Sequence, residues 1–213
     1  MRLESGITGA GCWRHSRGRQ SEPHGGTDKA LLPLAGNPLL AHVIARLATQ
    51  VSDIVISANG DLSRFASFGL PVIADSLAES AGPLAGLLAG LEWHAKNRPE
   101  LSYVVSVPTD TPFFPSDLVA RLVAAANRER RPIVARSESG VHPVVGLWPV
   151  EMTQDLRKAL NEGVRKVGAW AELQSAIEVA FPQGQVGGKP LDPFFNINRP
   201  EELAKAEALL KAS

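Results

Sequence analysis

Three polar residues directly follow β-rich runs of the chain, where side chains can meet a charged ligand. Asp110 comes shortly after the nearly all-apolar run Tyr103–Val107, and Asn59 and Asp75 each end a shorter β-rich run. Open α/β sheets bind their ligands beyond the carboxyl ends of the strands. We therefore expect Asn59, Asp75 and Asp110 to line one crevice if their strands are neighbours in the sheet.

Asp110 has the residue type and the position of a metal ligand. The run before it predicts a strand buried on both faces, and Pro112 keeps Thr111 out of helical geometry. Mg²⁺ prefers one or two such carboxylates together with water and substrate phosphates. The alternative is an aspartate that only caps the turn after its strand. The position alone leaves both interpretations open.

The other candidate residues also have simple structural explanations. Asn59-Gly60 is an ordinary turn pair, and an aspartate such as Asp75 at the end of a strand often forms an Asx-turn. The segment Gly25–Lys29 places a glycine pair near a lysine, which can bring backbone N–H groups and an ammonium to a phosphate. Its alternative is a plain polar loop. The chain has no Walker A spacing, no G-x-G-x-x-G after a strand and no H-E-x-x-H.

The elements that must position these residues alternate between strand and helix. β-rich runs and helical patterns follow one another through the first two thirds of the chain, which predicts a mostly parallel sheet with helices on both faces. We therefore predict a three-layer α/β fold. Asn37 is expected to cap a helix that begins at Pro38. Near the C-terminus the pattern predicts a loop over Pro182–Pro190 and a short strand over Phe194–Ile197.

The N-terminal residues have a different composition from the rest. Cys12–Thr27 contains no aliphatic residue and shows neither a strand period nor a helix period, which is typical of a loop. We therefore expect an irregular segment over 1–24 and a single domain over 25–213.

Composition excludes several classes of protein. The 213 residues are 44% hydrophobic and 21% charged, which is a globular composition. Basic and acidic residues number 22 each, so the chain lacks the excess charge with which proteins grip nucleic acid. A single cysteine, Cys12, excludes an internal disulfide and a cysteine-rich zinc site. No uncharged apolar stretch approaches the roughly 18–20 residues that span a bilayer. We predict a cytoplasmic protein without nucleic-acid or membrane partners.

Eight stretches of the sequence, taken in order, carry a resemblance to one enzyme family. They are GGTDKALLPLAGNPLLAHVIARL, ISANGD, FGLPVIADS, GPLAGLLAGLEW, VPTDTPFFPSDL, HPVVGLWP, GVRKVGAW and DPFFNINRPEEL. From about Gly25 to Leu210 the chain resembles the molybdenum cofactor guanylyltransferases, nucleotidyltransferases that are similar to the sugar-nucleotide pyrophosphorylases. The resemblance implies the Rossmann-like, mostly parallel sheet of the nucleotide-diphospho-sugar transferase type.

The resemblance also implies an activity, a cofactor and partners. Members transfer GMP from GTP to molybdopterin, or to Mo-molybdopterin, and form molybdopterin guanine dinucleotide and pyrophosphate with Mg²⁺ as cofactor. It implies that the GTP site contains Lys29, Asn59, Asp75 and Asp110. Lys29 and Asp110 are then the catalytic residues, with Lys29 at the phosphates and Asp110 as the Mg²⁺ ligand. Molybdenum insertion proteins and molybdoenzyme chaperones are implied as further partners of a monomer.

The resemblance places a second group of residues nearer the pterin. They are His142, the pair Arg165-Lys166, and Asn196 to Asn198. Two alternatives to the implied activity stay open. One is the cytidylyltransferase of the same cofactor or another small-molecule nucleotidyltransferase, and the other is a non-catalytic nucleotide-binding protein.

The N-terminal residues depart from the family pattern. Family members have a strand that leads into Leu-Ala-Gly-Gly and then Arg-Met-Gly-Gly before an Asp-Lys pair, whereas here only Gly25–Lys29 matches. Glu22-Pro23-His24 replaces the Arg-Met approach, and proline has no N–H to offer a phosphate. Gly6–Gly11 resembles the missing strand but is displaced by several residues. The abrupt change motivates the hypothesis of a local frame error in the gene, which a confirmed, intact reading frame would remove.

Overall fold

The computed structural model describes residues 7–10, 28–75, 82–126 and 130–212. Gly25, Gly26 and Thr27 of the predicted phosphate segment lie outside these residues. The structure describes the last two residues of that segment, Asp28 and Lys29.

The described residues form eleven strands and six α-helices. The strands are β1 Ile7–Ala10, β2 Pro33–Leu34, β3 Asn37–Pro38, β4 Asp53–Ala58, β5 Val72–Ala74, β6 Tyr103–Ser106, β7 Ile133–Ser137, β8 Gly140–Pro149, β9 Ile177–Ala180, β10 Gly184–Val186 and β11 Lys189–Leu191. The helices are α1 Leu39–Leu47, α2 Pro83–Asn97, α3 Leu118–Ala124, α4 Thr153–Asn161, α5 Val167–Leu173 and α6 Pro200–Lys211. Short 3₁₀ turns cover Lys29–Leu31, Leu62–Phe68 and Val150–Met152. None of the described helices is long and apolar enough to cross a membrane.

Seven strands form the central sheet, in the order β5-β4-β1-β6-β8-β7-β9. The first four of these are parallel neighbours. β8 runs antiparallel to β6 and β7, and β9 is parallel to β7. Every strand of this sheet except β8 therefore ends at the same side. We call that side the carboxyl edge, where Asn59, Asp75 and Asp110 follow their strands. The predicted mostly parallel sheet is confirmed.

The centre of the sheet contains strand β1, which lies within Gly6–Gly11, the stretch that resembles the displaced first strand of the family. Gly9 of β1 pairs with Ile54 on one side and with Val105 on the other. These four residues lie in the segment 1–24, so the expected irregular structure is wrong for them. A central strand is stabilised by hydrogen bonds to two neighbours, and a short run with glycine carries little pattern of its own.

Alternate side chains of the central strands enter two separate cores. Val104 and Trp148 pack with α2, α4 and α5, whereas Val105 and Leu147 pack with α1 and α3 on the opposite face. Trp148 stacks on Trp170 of α5, with ring centroids 5.5 Å apart. Each fully buried side chain of this size contributes about 1.5–3 kcal/mol. Helices on both faces of the sheet confirm the predicted three layers.

Two predictions near the C-terminus are wrong. Phe194–Ile197 is irregular rather than a strand, and the Ile197 N–H donates to the carbonyl of Asp110 at 2.8 Å instead of joining a sheet. The predicted loop Pro182–Pro190 contains most of the antiparallel hairpin of β10 and β11. The structure of both segments depends on the contacts that they make after folding, so local composition did not predict it.

The predicted start of the first helix is also displaced. Asn37 pairs with Leu34 in a two-residue ladder and makes no capping bond. Pro38 takes the N-cap position, and α1 begins one residue later, at Leu39. Asn37 therefore forms part of the turn before α1 and does not cap the helix.

Candidate functional site

Asp110 lies at the carboxyl edge on the loop after β6, and only 8% of its surface is exposed. Burial raises the pKa of its carboxyl to about 6, although nearby Lys29 lowers it and Glu202 raises it further. The charge of the ionised carboxylate is thus only partly compensated by its surroundings. A buried carboxylate of this kind is suited to binding a cation.

The neighbouring hydroxyl gives Asp110 little help. Thr111 Oγ1 lies 2.5 Å from Asn196 Oδ1 but 3.5 Å from Asp110 Oδ1. Because a hydroxyl has one proton, Thr111 donates it to the nearer acceptor, the amide oxygen of Asn196, and not to Asp110. The same contact holds the segment that carries Asn196 against the loop after β6.

Lys29 is positioned by residues from the far end of the chain. Its Nζ donates to Asn198 Oδ1 at 2.9 Å, and its charge acts on the Asp110 carboxyl. Glu202 in turn accepts the backbone N–H groups of Asn198 and Arg199, at 2.6 and 2.9 Å, at the start of α6. An ammonium has three donors, so the contact with Asn198 leaves Lys29 able to bind a phosphate as well.

A second cluster lies at the carboxyl edge after β4 and β5. Ser57 Oγ donates to Asp75 Oδ1 at 2.8 Å, and Asn59 Nδ2 donates to Asp75 Oδ2 at 2.7 Å. A carboxylate can only accept, so this pairing orients the amide and leaves Asn59 Oδ1 as an acceptor. Ser57 is fully buried and Asn59 is exposed, so the cluster offers acceptor atoms at the surface of the edge.

Arg64 connects the two clusters. Its Nη2 donates to the carbonyl of Asn59 at 2.7 Å, and its Nε donates to Asp28 Oδ2 at 3.0 Å. Asp28 directly precedes Lys29 in the chain. Polar contacts therefore run from Asp75 along the edge to the residue next to Lys29.

The four predicted site residues all lie along this one edge. Asn59 contacts Asp75, and the charge of Lys29 acts on Asp110. Only β1 separates β4 from β6, so the strands that deliver Asn59 and Asp110 are roughly 10 Å apart at about 4.8 Å per strand. That span suits an extended ligand with a base at one end and phosphates at the other.

His142 belongs to a third cluster, at the tip of the β7–β8 hairpin. Ser137 Oγ lies 2.7 Å from His142 Nε2 and donates to Asp192 Oδ2 at 2.7 Å. Burial lowers the pKa of His142, and the charge of Asp192 opposes this effect. Because Asp192 begins the segment that leads to Asn196, the cluster adjoins the Asp110 side of the edge.

Arg165, which the resemblance places near the pterin, contacts the backbone at the end of α4. Its Nη1 donates to the backbone carbonyls of Leu160 and Val164, at 2.5 and 3.0 Å. Basic side chains commonly satisfy the last carbonyls of a helix in this way. In the described structure Arg165 therefore stabilises the end of α4.

The sequence patterns did not single out Ser57, Arg64 and Thr111, which contact the predicted site residues Asp75, Asn59 and Asp110 in turn. Ser57 had a local signal, because it is a polar residue inside the apolar run of β4. Arg64 had none, because its partners are the end of β4 and a residue far earlier in the chain.

The surroundings of Asp110 fit a divalent cation that is shared with a ligand. Within the part of the chain that the structure describes, no group of three or more His, Cys, Asp or Glu side chains could hold a metal. Mg²⁺ rarely needs such a group, since one or two carboxylates with water and phosphate oxygens suffice. Asp110, a buried carboxylate whose neighbouring hydroxyl donor, on Thr111, is 3.5 Å away, can therefore serve as the single protein ligand.

The chain is similar to known proteins over most of its length. The MobA-like NTP transferase domain matches residues 18–177, a range that begins after β1. A molybdenum cofactor guanylyltransferase from Bradyrhizobium sp. (strain ORS 278) is 48% identical over 187 residues, which cover 87% of this chain and 86% of that protein.

Solved structures share the fold at low sequence identity. The molybdopterin-guanine dinucleotide biosynthesis protein A from Archaeoglobus fulgidus is 18% identical with a TM-score of 0.63, and the match covers 97% of this chain and 99% of that one. Rv0371c from Mycobacterium tuberculosis H37Rv, solved in complex with manganese, is 16% identical with a TM-score of 0.63 and covers 96% and 98%. These similarities place the sheet and its helices in the nucleotide-diphospho-sugar transferase fold.

Proposed function

We infer the function of this protein from its family: the chain belongs to the MobA-like NTP transferase family. We propose that it transfers GMP from GTP to molybdopterin or Mo-molybdopterin, forming molybdopterin guanine dinucleotide and pyrophosphate. The Bradyrhizobium protein that is 48% identical to this chain is named for this activity, as a molybdenum cofactor guanylyltransferase. The observation that carries the proposal is the buried Asp110 beside Lys29, because a metal–triphosphate complex needs an anionic ligand for the metal and a cation for the phosphates.

The proposed reaction is a direct displacement at phosphorus. A phosphate oxygen of molybdopterin forms a bond to the α-phosphorus of GTP. The bond from that phosphorus to the oxygen bridging to the β-phosphate breaks, and pyrophosphate leaves with the electron pair. No covalent enzyme intermediate is needed, so the protein contributes by positioning the substrates and neutralising charge.

Lys29 and Asp110 have separate roles in this proposal. Lys29 binds the phosphates of GTP, with its ammonium oriented by the bond to Asn198. Asp110 holds the divalent cation, which we propose is Mg²⁺. The manganese complex of a protein with the same fold supports a divalent ion. Such an ion stabilises the charge that develops on the phosphates in the transition state.

The cluster at Asp75 supports guanine as the base. Asn59 Oδ1 is an amide oxygen that accepts hydrogen bonds, and the bond from the amide nitrogen to Asp75 fixes its orientation. Guanine presents two adjacent donors, N1–H and the N2 amino group, whereas cytosine presents one amino donor beside an acceptor nitrogen. A cluster of acceptors therefore favours GTP over CTP, since a site with unpaired polar groups rejects the wrong base.

The test is formation of the guanine dinucleotide from GTP, Mg²⁺ and molybdopterin by purified protein. We expect turnover by the natural sequence and a loss of at least about 100-fold in Asp110→Asn, since metal stabilisation contributes several kcal/mol. Asp53→Asn is the matched control, because Asp53 lies at the opposite end of β4 in an ion pair with Arg98. Turnover with CTP alone would favour the cytidylyltransferase, and normal turnover by Asp110→Asn would remove Asp110 from the mechanism.

A further inference from the structure

Three hydrogen bonds and one ring contact hold the guanidinium of Arg64 in position. Nη2 donates to the carbonyl of Asn59 at 2.7 Å, and Nη1 donates to the carbonyl of Asp61 at 2.5 Å. Nε donates to Asp28 Oδ2 at 3.0 Å. One face of the guanidinium lies over the ring of Phe65, 4.6 Å from its centroid. The side chain therefore ties the end of β4 to the segment before Lys29.

Asp28 transmits this contact to Lys29. While Oδ2 accepts from Arg64, Oδ1 accepts the N–H of Ala30 at 3.0 Å as the N-cap of the 3₁₀ turn Lys29–Leu31. The cap sets the backbone direction at Lys29, whose ammonium then reaches Asn198. The Asp28 carboxylate, fixed by Arg64, thus sets the position of the Lys29 backbone from which the ammonium extends.

We propose that Arg64 is a positioning residue that couples the base side of the site to its phosphate side. One part of the guanidinium holds Asn59, and another part holds Lys29 through Asp28. The inference rests on the proposed function, because it takes GTP as the ligand that needs both sides at a set distance. Lysine cannot replace this arginine, since an ammonium lacks the planar fork that reaches two carbonyls and a carboxylate together.

The contribution of Arg64 to overall stability is expected to be small. The exposed fractions of the Arg64 and Asp28 side chains are 27% and 18%, so water competes for the ion pair. Pairs of this kind change the melting temperature by no more than about 4 °C in a domain of this size. An effect on GTP binding is therefore separable from unfolding.

A purely electrostatic role for Arg64 makes the opposite prediction at Asp28. If Arg64 only attracted the triphosphate by its charge, Asp28→Asn would remove a competing negative charge and tighten GTP binding. Under the positioning role, Asp28→Asn weakens binding. The amide keeps an acceptor for the N–H of Ala30 but loses the ion pair with Arg64.

The experiment measures the dissociation constant of GTP with MgCl₂ by calorimetry. We expect Arg64→Lys and Asp28→Asn each to weaken binding about tenfold, because small displacements of positioned groups have effects of this order or larger. The double variant should bind no more than about twofold worse than either single variant, since both changes break one connection. Arg98→Lys is the matched control. Arg98 makes a forked ion pair with Asp53 at the other end of β4, at 2.8 and 3.2 Å, and its loss should leave GTP binding unchanged.

Unchanged binding by Arg64→Lys, or tighter binding by Asp28→Asn, would overturn the inference. Amide hydrogen exchange of ligand-free protein provides a second readout that does not depend on GTP. The amide of Ala30 should exchange faster in Arg64→Lys than in Arg98→Lys, because its acceptor has lost its anchor. If the natural sequence binds no GTP, the proposed function fails, and equal exchange rates at Ala30 would separately reject the positioning role.

Discussion

Asp110 has lost most of its hydration, and among the described residues Lys29 is the positive group that acts on it. Burial raises the pKa of the carboxyl to about 6. The native protein therefore binds a proton at this position more tightly than the unfolded chain does. Ionised Asp110 thus destabilises the metal-free protein, and the cation that we propose at this position would offset this cost.

We expect Asp110→Asn to stabilise the metal-free protein at about pH 8 by up to about 3 kcal/mol, the free energy that corresponds to a pKa of about 6 against an ordinary 3.8. The folded-state pKa is raised, so the cost is present in full above pH about 6. It disappears as the pH falls toward about 4. Urea unfolding of both proteins in metal-free buffer at several pH values measures the difference. If Asp110→Asn is less stable at pH 8, the attraction between Lys29 and ionised Asp110 exceeds the cost of burying the charge.

At the scale of elements, the segment from Asp192 to Asn198 contains neither helix nor strand, yet its two ends form hydrogen bonds with residues distant in the chain. Asp192 is bound to Ser137 at the end of β7, and Asn198 is bound to Lys29 at the other side of the edge. Since the Ser137 hydroxyl donates to a carboxylate, its oxygen accepts from the imidazole, which places the proton of His142 on Nε2. Side-chain hydrogen bonds and the buried side chains of Phe194 and Ile197, rather than pairing in a sheet, hold this segment in place.

Ser137→Ala should release the near end of that segment. It removes the hydroxyl that Asp192 and His142 share, and because both side chains are only half-buried, the lost hydrogen bonds lower the free energy of unfolding by about 1 kcal/mol. Faster exchange of the amides of Phe194 and Ile197 should accompany the loss, as measured by hydrogen exchange. Ser52→Ala is the control, because Ser52 is exposed and donates to Asp53 at the opposite end of β4. Equal effects of the two changes would contradict the assigned role of Ser137.

At the scale of the whole molecule, the carboxyl edge gathers groups from strands and loops that lie far apart in the chain. The proposed base side consists of residues that follow β4 and β5, and the proposed phosphate side consists of residues after β6, at Lys29 and before α6. A ligand that spans both sides links these elements and stabilises the native state by mass action. The single domain over 25–213 and the monomeric state stay predictions.

GTP with Mg²⁺ should raise the melting temperature by about 5–10 °C at a concentration about 100-fold above its dissociation constant. CTP should raise it less, because the acceptors at Asn59 and Asp75 match the two donors of guanine better. Thermal unfolding followed by fluorescence measures both shifts. Greater protection by CTP would favour the cytidylyltransferase, and protection by neither nucleotide would favour the non-catalytic alternative.

The sequence by itself determined the alternating α/β order, the mostly parallel sheet and the candidates Asn59, Asp75 and Asp110. Each of these depends on local patterns, because strand ends and apolar periods are readable over a few residues. Strand β1, the roles of Arg64 and Thr111, and the irregular segment that carries Asn196 were decided only by the tertiary structure. Their hydrogen bonds join residues far apart in the chain, such as Lys29 and Asn198, which are 169 positions apart. Pairing at that separation depends on how the whole sheet closes around the site, and no local pattern encodes it.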